Sequence, residues 1–559
     1  MKTSGPYSYL IFALLIMTAC TNSTKRMENK AGDFLRSLEM EIAPVYTEWN
    51  KSYFEATISG KDEDYSKVSE NELAYSKILA DKSRFEQVKQ YREEPAIKDS
   101  LIRRELDVLY NTMIRYQIDT LKLKKLIDAQ VAIEKKFSTF RVNIDRKSLS
   151  DNEIDSMLVN SKNSAELEKV WTASKEIGVA VAEDVKSLVM LRNEIAHDLG
   201  YSNYHEMALK ISDQDPAEIL KLFDELDVLT RDAFINLKNL MDMALAQQLK
   251  ISAEKLMPWH YQNRFFQEAP KIYEADLDKY YAEKDILVVA KNYYEGIGLE
   301  IQDILDKSDL YEKPGKYQHA YCTSIDKAGD VRVVANCRNN QYWMNTMLHE
   351  LGHAVYDKYI DSTLPFALRE PAHNFTTEAI ANFFGNLASN AEWMNRNLGL
   401  TPEETDKIAA DVKSYARLEK LIFSRWCQVM FRFEKSMYEN PDQDLNALWW
   451  DLVEQYQLLK RPEGRDNPDW ASKIHVASYP CYYHNYMLGD LLAAQLNAFM
   501  EENILGEKDP GYTGHTEIGA YLKENVFKPG SRYYWNEMIE RATGEKLTAR
   551  HYAEQYVKK

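Results

Sequence analysis

Two histidines and a glutamate form the strongest chemical signal in the sequence: His349, Glu350 and His353. Side chains four residues apart lie on one face of a helix, so both imidazoles can reach one metal ion. Zinc binds imidazole nitrogen readily and keeps a position open for water in catalytic sites. Glu350 can hold that water and accept its proton as a general base. The motif predicts a zinc hydrolase, and the alternative is a buried histidine pair that binds no metal.

A third protein ligand is needed, and Glu378 is the candidate. It follows His353 by one connection and lies in a segment, 376–382, that predicts a second helix. Glutamates on helices are usually solvated, but Phe383 and Phe384 indicate that this helix has a substantial apolar face. We therefore expect Glu378 to approach the two histidines.

The elements that must position these residues are predicted to be mainly α-helical. Only 20 glycines and 16 prolines occur in 559 residues, and apolar residues recur three and four apart, for example across 99–123 and 165–199. Short strand patterns at 319–322 and 331–334 surround a turn just before the histidine motif. The sequence therefore predicts one large helical body with one small β-sheet beside the zinc helix.

The N-terminus predicts export. Lys2 precedes an apolar run at 9–17, and small residues lead to Cys20, which resembles a bacterial lipobox. In this interpretation a lipid on Cys20 anchors an exported protein to a membrane, in the periplasm or on the cell surface, and ordinary secretion is the alternative. The predicted segments are a signal peptide (1–19), a tether (20–35) and one catalytic domain (36–559).

Charge and hydropathy argue against two other classes of protein, those that bind nucleic acid and those that span a membrane. A formal net charge of −17 disfavours nucleic acid as a partner, because phosphate binding requires a basic surface. After the N-terminal run, no segment is long and apolar enough to span a membrane.

Four cysteines remain besides Cys20, and export would permit disulfides among them. Cys322 and Cys337 lie in one short segment, and closing that loop would contribute about 3 kcal/mol in the chain-entropy model. Three pairings of the four are possible. Cys427 lies in an apolar helical run and is predicted to be a buried free thiol.

Several of these segments together resemble the angiotensin-converting enzyme (peptidyl-dipeptidase A) family. That family reads HEMGH, LPxxLREGA and HEAIGD, where this chain reads HELGH from His349, LPFALRE from Leu364 and EAIAN from Glu378. The likeness extends over about 158–495 and is highly specific in combination. It implies a zinc-dependent peptidyl-dipeptidase that releases C-terminal dipeptides from peptides, built as a two-lobed helical body with a deep central cleft. The helices within 36–150 would correspond to the family's lid.

The resemblance also assigns catalytic roles. It implies one zinc ion on His349, His353 and Glu378, with Glu350 as base and proton shuttle. His475 matches the histidine that polarises the scissile carbonyl. The tyrosine that holds the oxyanion is assigned to Tyr486, although this segment is one residue out of step with the family spacing, and Tyr482 and His484 are the alternatives.

The same resemblance implies a site for the substrate's terminal carboxylate. Lys473 and Tyr483 match the family's lysine and tyrosine, Gln262 is assigned as its glutamine, and Tyr482 is a further substrate-binding candidate. A fixed cation at this end of a cleft favours an exopeptidase, because a free carboxylate gains a charge-assisted hydrogen bond there.

Departures from the family pattern, and one further agreement, carry predictions of their own. The aspartate four residues after the ligand glutamate is Asn382 here, and a neutral amide should orient a ligand histidine less strongly. The family's strand histidine appears as Thr323. Its chloride-binding arginines appear as Val453 and Asn485, so chloride activation is not expected. Its conserved disulfide implies that Cys322 pairs with Cys337.

Two other functions compete with this interpretation. A zinc oligoendopeptidase resembling thimet oligopeptidase has a tyrosine-rich helix of comparable spacing. A lipid-anchored binding protein with a degenerate site is the alternative from another class. The intact Glu350 argues against the binding protein, because a purely structural zinc ion has no use for a general base.

Overall fold

A computed structural model describes residues 7–272 and 276–557, with side chains from residue 24 onward. The chain is 69% helical, so the predicted mainly α fold is confirmed. Among the described residues, no helix combines the length and the apolar character that a membrane span requires. The predicted signal peptide and the lipid attachment at Cys20 lie outside the residues whose side chains are described.

Many short and long helices precede the histidine motif. In chain order they are α1 (Tyr7–Ser59), α2 (Asp62–Leu79), α3 (Lys82–Glu93), α4 (Ser100–Ile114), α5 (Thr120–Thr139), α6 (Asp151–Asn160), α7 (Ser164–Ser174), α8 (Glu176–Asp198), α9 (Tyr204–Lys210), α10 (Pro216–Leu249), α11 (Asp278–Tyr281), α12 (Ile286–Gly296) and α13 (Gln302–Lys307).

The helices from the motif onward are α14 (Gln341–Tyr359), α15 (Asn374–Asn386), α16 (Ala391–Leu398), α17 (Pro402–Glu439), α18 (Leu445–Leu452), α19 (Ile474–Ser478), α20 (His484–Phe499), α21 (Thr516–Leu522), α22 (Trp535–Thr543) and α23 (Arg550–Tyr556). Short 3₁₀ turns occur at Ala253–Lys255, Pro258–His260, Phe366–Leu368, Leu387–Ser389 and Asp469–Ser472, and π-helical turns at Val453–Gln457, Met500–Leu505 and Lys523–Phe527.

Side-chain caps explain where several helices begin. The Asp215 carboxylate accepts hydrogen bonds from the N–H groups of Ala217 and Glu218, and Pro216 occupies the first turn of α10. Proline tolerates this position because its missing N–H would have no partner there. At α17, Thr401 and Glu404 form a reciprocal capping box.

Two of the predicted helices are interrupted. The periodicity across 99–123 is divided between α4 and α5, because Asp119 caps a new helix by accepting from Leu121 and Lys122 N–H. The periodicity across 165–199 is divided between α7 and α8, where the Lys175 N–H bonds to Thr172 O in a tighter turn. A break of one turn preserves the three-and-four spacing, so the sequence pattern conceals it.

Two small antiparallel sheets are present in the described residues, where one was predicted. The predicted sheet consists of β3 (Tyr321–Ser324) and β4 (Val331–Val334), which pack against α14. The additional sheet consists of β1 (Val142–Ile144) and β2 (Lys147–Leu149). Its turn residues, Asp145 and Arg146, adopt φ values of 52° and 67°. This hairpin was missed because its turn lacks the Asn-Gly or Asp-Gly signature.

The cysteines correct one prediction. Cys322, Cys337, Cys427 and Cys481 are free thiols, so the predicted Cys322–Cys337 disulfide is not formed in the structure. Strand register gives the reason: Cys322 lies directly opposite Val333, whereas Cys337 lies beyond the end of β4, where its N–H bonds to Leu310 O. The prediction of Cys427 as a buried free thiol is confirmed.

The described residues form one large and two smaller hydrophobic clusters, and the smallest of these contains Phe54, Ile325 and Val334. The largest cluster runs through most of the helices and encloses α14, of which Met347, Leu348 and Leu351 are fully buried. A smaller cluster contains residues of α1, α2, α3 and α4 together with a few residues of the main body, including Phe366. Polar contacts tie α1 to segments on either side of α14 in the sequence: Arg369 Nη2 donates to Glu39 Oε1 at 3.2 Å, and the Thr57 and Tyr321 hydroxyls are 2.5 Å apart.

Candidate active site

Helix α14 carries the HELGH motif and packs closely against α15, which packs in turn against α20. At Gly352, an added Cβ would lie 2.9 Å from Ala381 Cα, so the backbones of α14 and α15 are in near contact. Gly489 of α20 likewise has little room for a side chain, because an added Cβ there would lie 3.4 Å from Glu378 Cγ. Glycine at these positions lets α15, which carries Glu378, lie close to α14 on one side and to α20 on the other.

Replacing Gly352 by alanine is expected to lower the free energy of unfolding by about 1–3 kcal/mol, the usual cost of overpacking a core. The nearest atom belongs to the α15 backbone and cannot move aside as a flexible side chain would. Urea unfolding measures the change. Gly296→Ala is the matched control, because an added Cβ there would meet its nearest neighbour, Gly514 N, at an ordinary contact distance of 3.9 Å. Equal stability of the two variants would contradict the expectation.

The structure brings the three predicted metal ligands together. The Nε2 atoms of His349 and His353 lie 3.8 and 3.7 Å from the two carboxylate oxygens of Glu378. One ligand atom from each residue can be chosen so that all three lie within 4.8 Å of one another. Two imidazole nitrogens and a carboxylate oxygen are a donor set that suits a catalytic zinc ion. The residues present therefore fit the predicted metal.

Burial keeps both histidines in the form that can bind a metal. It lowers the pKa of His349 to about 4, and burial together with His349 lowers the pKa of His353 to about 3. Both imidazoles are therefore neutral near pH 7 and offer an unprotonated nitrogen. Burial also raises the pKa of the Glu378 carboxyl to about 7, and the nearby Asp490 adds to this shift.

Glu350 lies on the same helix between the two histidines and is 8% exposed. Burial is the main reason that its pKa rises to about 8, and the negative charge of Glu378 contributes. The backbone N–H of Cys322 on β3 opposes the shift by stabilising the carboxylate. A carboxyl group poised near neutral pH suits proton transfer in both directions.

The second ring nitrogen of His353 contacts a neighbour on α15. Its Nδ1 lies 2.7 Å from the Thr377 hydroxyl. Asn382, at the position where the family pattern has an aspartate, has no side-chain hydrogen-bond partner among the described residues. Sequence reasoning missed Thr377, because its only signal was its place directly before Glu378.

The predicted oxyanion residues lie on α19 and at the start of α20. The His475 ring is in contact with Tyr483, with ring centroids 5.1 Å apart, and Tyr483 is in turn 5.2 Å from Tyr486. Burial is the main cause of a raised pKa at Tyr482 (about 12) and at Tyr486, and the charge of Glu378 contributes to both. Both tyrosines are therefore within electrostatic reach of the ligand carboxylate.

Helical spacing places Tyr486 on the face of α20 that meets Glu378. Tyr486 precedes Gly489 by three residues, and Gly489 is the point at which α20 touches the Glu378 side chain. His484, one of the sequence-based alternatives, lies elsewhere: it is 2% exposed, and its Nε2 is 2.7 Å from Gln214 Oε1.

Lys473 and Tyr483 form a buried polar site near these residues. The Lys473 ammonium lies 5.5 Å from the centre of the Tyr483 ring and donates a 2.6 Å hydrogen bond to Gln267 Oε1. Burial lowers the pKa of Lys473 to about 8, against the opposing charge of Glu268. Lys473 has no ion-pair partner among the described residues.

The glutamine at this site differs from the predicted one. Gln262 adopts a φ of 58° and its Oε1 accepts from the Lys271 N–H, whereas Gln267 contacts Lys473. Both glutamines lie in one irregular segment, and no periodicity there indicates which side chain faces inward. The sequence therefore held no signal for Gln267.

Comparison with known proteins agrees with this geometry. A model of the angiotensin-converting enzyme family of peptidases matches residues 25–558. The chain is similar to Carboxypeptidase 1 of Bacillus subtilis (strain 168), with 25% identity over 261 residues, which cover 42% of this chain and 50% of the relative. It is also similar to Thermostable carboxypeptidase 1 of Pyrococcus furiosus, with 24% identity over 248 residues, or 40% and 49% of the two chains. The chain thus spans about half the length of these relatives.

Proposed function

Because the chain belongs to the angiotensin-converting enzyme family of peptidases, we propose that it is a zinc-dependent peptidyl-dipeptidase that releases dipeptides from the C-termini of oligopeptides. The observation that carries the proposal is the convergence of His349, His353 and Glu378 beside the buried Glu350. A structural metal site would need no such base.

The proposed mechanism assigns proton transfer to Glu350. A zinc ion bound by His349, His353 and Glu378 would polarise the scissile carbonyl and acidify the attacking water. Glu350 accepts the proton from that water and then delivers it to the leaving amine, a cycle that its pKa of about 8 supports. Its burial keeps other water molecules from competing for the carboxylate.

Oxyanion stabilisation is assigned to His475 and Tyr486. Burial, with a contribution from Lys473, lowers the pKa of His475 to about 4, so the ring is a neutral hydrogen-bond donor at physiological pH. The raised pKa of Tyr486 keeps its phenol protonated. Two neutral donors directed at the carbonyl oxygen would favour the tetrahedral intermediate over the planar amide.

Recognition of the substrate's C-terminus is assigned to Lys473, Tyr483 and Gln267. A buried ammonium group without an anionic partner is unfavourable, and a substrate carboxylate would supply that partner. The names of both similar proteins, which are carboxypeptidases, agree with action at a C-terminus. They also favour a second candidate activity, the release of single C-terminal residues.

Mass spectrometry of products from a mixed peptide library tests the proposal. The expected products are C-terminal dipeptides, released much faster from peptides with a free C-terminus than from their amidated counterparts. Single released residues would indicate a carboxypeptidase. Internal fragments from both sets would indicate an oligoendopeptidase, and no cleavage by the zinc-loaded protein would favour a binding protein.

The pH dependence of this preference is expected to follow Lys473. Below a pH of about 8 its ammonium group is charged and can bind a carboxylate, and above that pH it becomes neutral. We expect kcat/KM for a free-carboxylate peptide, divided by that for its amide, to decline above a pH of about 8. The amidated peptide corrects for other titrating groups. A ratio that is constant from pH 6 to about 10 would contradict the assignment.

Chloride is expected to have little effect on the rate. Asn485 is buried and accepts a 2.7 Å hydrogen bond from Gln214 Nε2, and Val453 is 4% exposed in an apolar setting. Neither residue carries the positive charge that an anion requires. Initial rates in chloride-free acetate buffer and in physiological chloride should agree, and a several-fold rise with chloride would contradict this prediction.

A further inference from the structure

We propose that Thr377 is the residue that positions His353 for metal binding, in place of a carboxylate farther along α15. The observation is the 2.7 Å contact between His353 Nδ1 and the Thr377 hydroxyl. The inference rests on the proposed zinc site, but it does not depend on which peptides are cleaved.

The chemistry of imidazole gives the contact its direction. Nε2 of His353 faces Glu378 at 3.7 Å and is the nitrogen available to a metal, so it must be unprotonated. An imidazole that binds a metal through Nε2 carries its single proton on Nδ1, and at 2.7 Å that N–H donates to the Thr377 oxygen. The hydroxyl therefore selects the tautomer and fixes the plane of the ring.

The surroundings of Thr377 support this role. Thr377 is in the first turn of α15 and Glu378 follows it directly, so one helical turn supplies both a ligand and the support for another ligand. The close contact of Gly352 with Ala381 fixes the separation of α14 and α15, which holds the hydroxyl within reach of His353. Thr376, its neighbour, has a different function: its hydroxyl donates to His373 O at the start of the helix.

Asn382 is the other candidate for orienting His353, and its surroundings favour Thr377 instead. Four residues after Glu378, Asn382 lies about one turn farther along α15, and among the described residues its amide has no hydrogen-bond partner. Ligand histidines generally donate their second N–H to an acceptor, and loss of that acceptor commonly weakens metal binding about 10- to 100-fold. In this chain the acceptor is a neutral hydroxyl, which increases the basicity of the imidazole less than a carboxylate would.

Zinc affinity tests the inference without measuring catalysis. The full chain is stripped of metal, and the zinc Kd is measured by competition with a chelator of known affinity for the wild type, Thr377→Val, Thr377→Ser and Asn382→Ala. We expect a Kd at least about 10-fold higher for Thr377→Val. Thr377→Ser retains the hydroxyl and should stay close to the wild type, as should Asn382→Ala. Thermal unfolding of the metal-free proteins identifies any variant that fails to fold, and Thr377→Ala then replaces Thr377→Val.

Three outcomes would overturn the proposal: an unchanged Kd for Thr377→Val, equal weakening by Thr377→Ser, or weakening by Asn382→Ala that matches Thr377→Val. A wild-type chain that binds one zinc ion but cleaves no peptide would refute the proposed function. The zinc Kd values of the variants could still be compared, so the role of Thr377 would still be tested. A wild-type chain that binds no zinc would refute both.

Discussion

Replacing Glu350 by glutamine is expected to lower kcat/KM about 10²- to 10⁴-fold for every cleaved peptide, while the zinc content stays at the wild-type level. Glutamine has nearly the same shape as glutamate, so the packing of α14 against β3 should persist. It cannot accept a proton from water or return one to the leaving amine. Because Glu350 is 8% exposed, bulk water cannot readily replace it as the base.

Two measurements are needed for this variant: the initial cleavage rate and the bound metal, determined on the same preparation. Glu378→Gln is the matched control, because it changes the same functional group on a proposed ligand and should lower zinc content as well as activity. If Glu350→Gln retained activity within tenfold of the wild type, Glu350 would not be the base. If it lost zinc as Glu378→Gln does, the loss of activity would carry no information about proton transfer.

The second large effect is expected at Lys473. Its replacement by methionine should lower kcat/KM for peptides with a free C-terminus by about 30- to 5,000-fold, because losing one partner of a buried charge pair costs about 2–5 kcal/mol. Methionine has a similar length and can pack against the Phe265 and Trp426 rings, whose centres lie 5.2 and 5.4 Å from the Lys473 ammonium. Amidated peptides should be cleaved at an unchanged rate, because they cannot use the cation.

His475→Gln is the matched control for Lys473→Met. It weakens oxyanion stabilisation, so it should lower the rates for free and amidated peptides by the same factor. The ratio of the two rates therefore separates recognition of the C-terminus from catalysis. If Lys473→Met lowered the cleavage rates of the free and the amidated peptide by the same factor, the lysine would not bind the terminal carboxylate. An endopeptidase would then become the better description.

Local sequence rules predicted the helices that carry the proposed metal ligands, because those rules depend on one helix at a time. The spacing of His349 and His353 places both on one face of α14, and the apolar pattern of α15 indicated that it is buried. The small sheet before the motif was also predicted, with β4 at its observed position. These features require no knowledge of how distant segments meet.

Features that depend on tertiary contacts were not predictable. Gln267 and Gln262 lie in the same irregular segment, and only the three-dimensional path of the chain brings Gln267 to Lys473. The Thr377 contact depends on the separation of two helices. The Cys322–Cys337 disulfide, which the family resemblance implied, is not formed in the structure, because strand register places Cys322 opposite Val333.

The near contact of two backbones at Gly352 also bears on how the protein would take up and lose the proposed zinc ion. Because α14 and α15 are held together by packing, the donor atoms are preorganised, and an arriving ion orders little of the chain. Metal exchange should therefore be separate from folding, unlike small zinc modules that unfold when chelated. A dialysed protein should retain its helical circular dichroism and accept cobalt as a spectroscopic substitute, so the availability of metal could switch activity reversibly without exposing the chain to degradation.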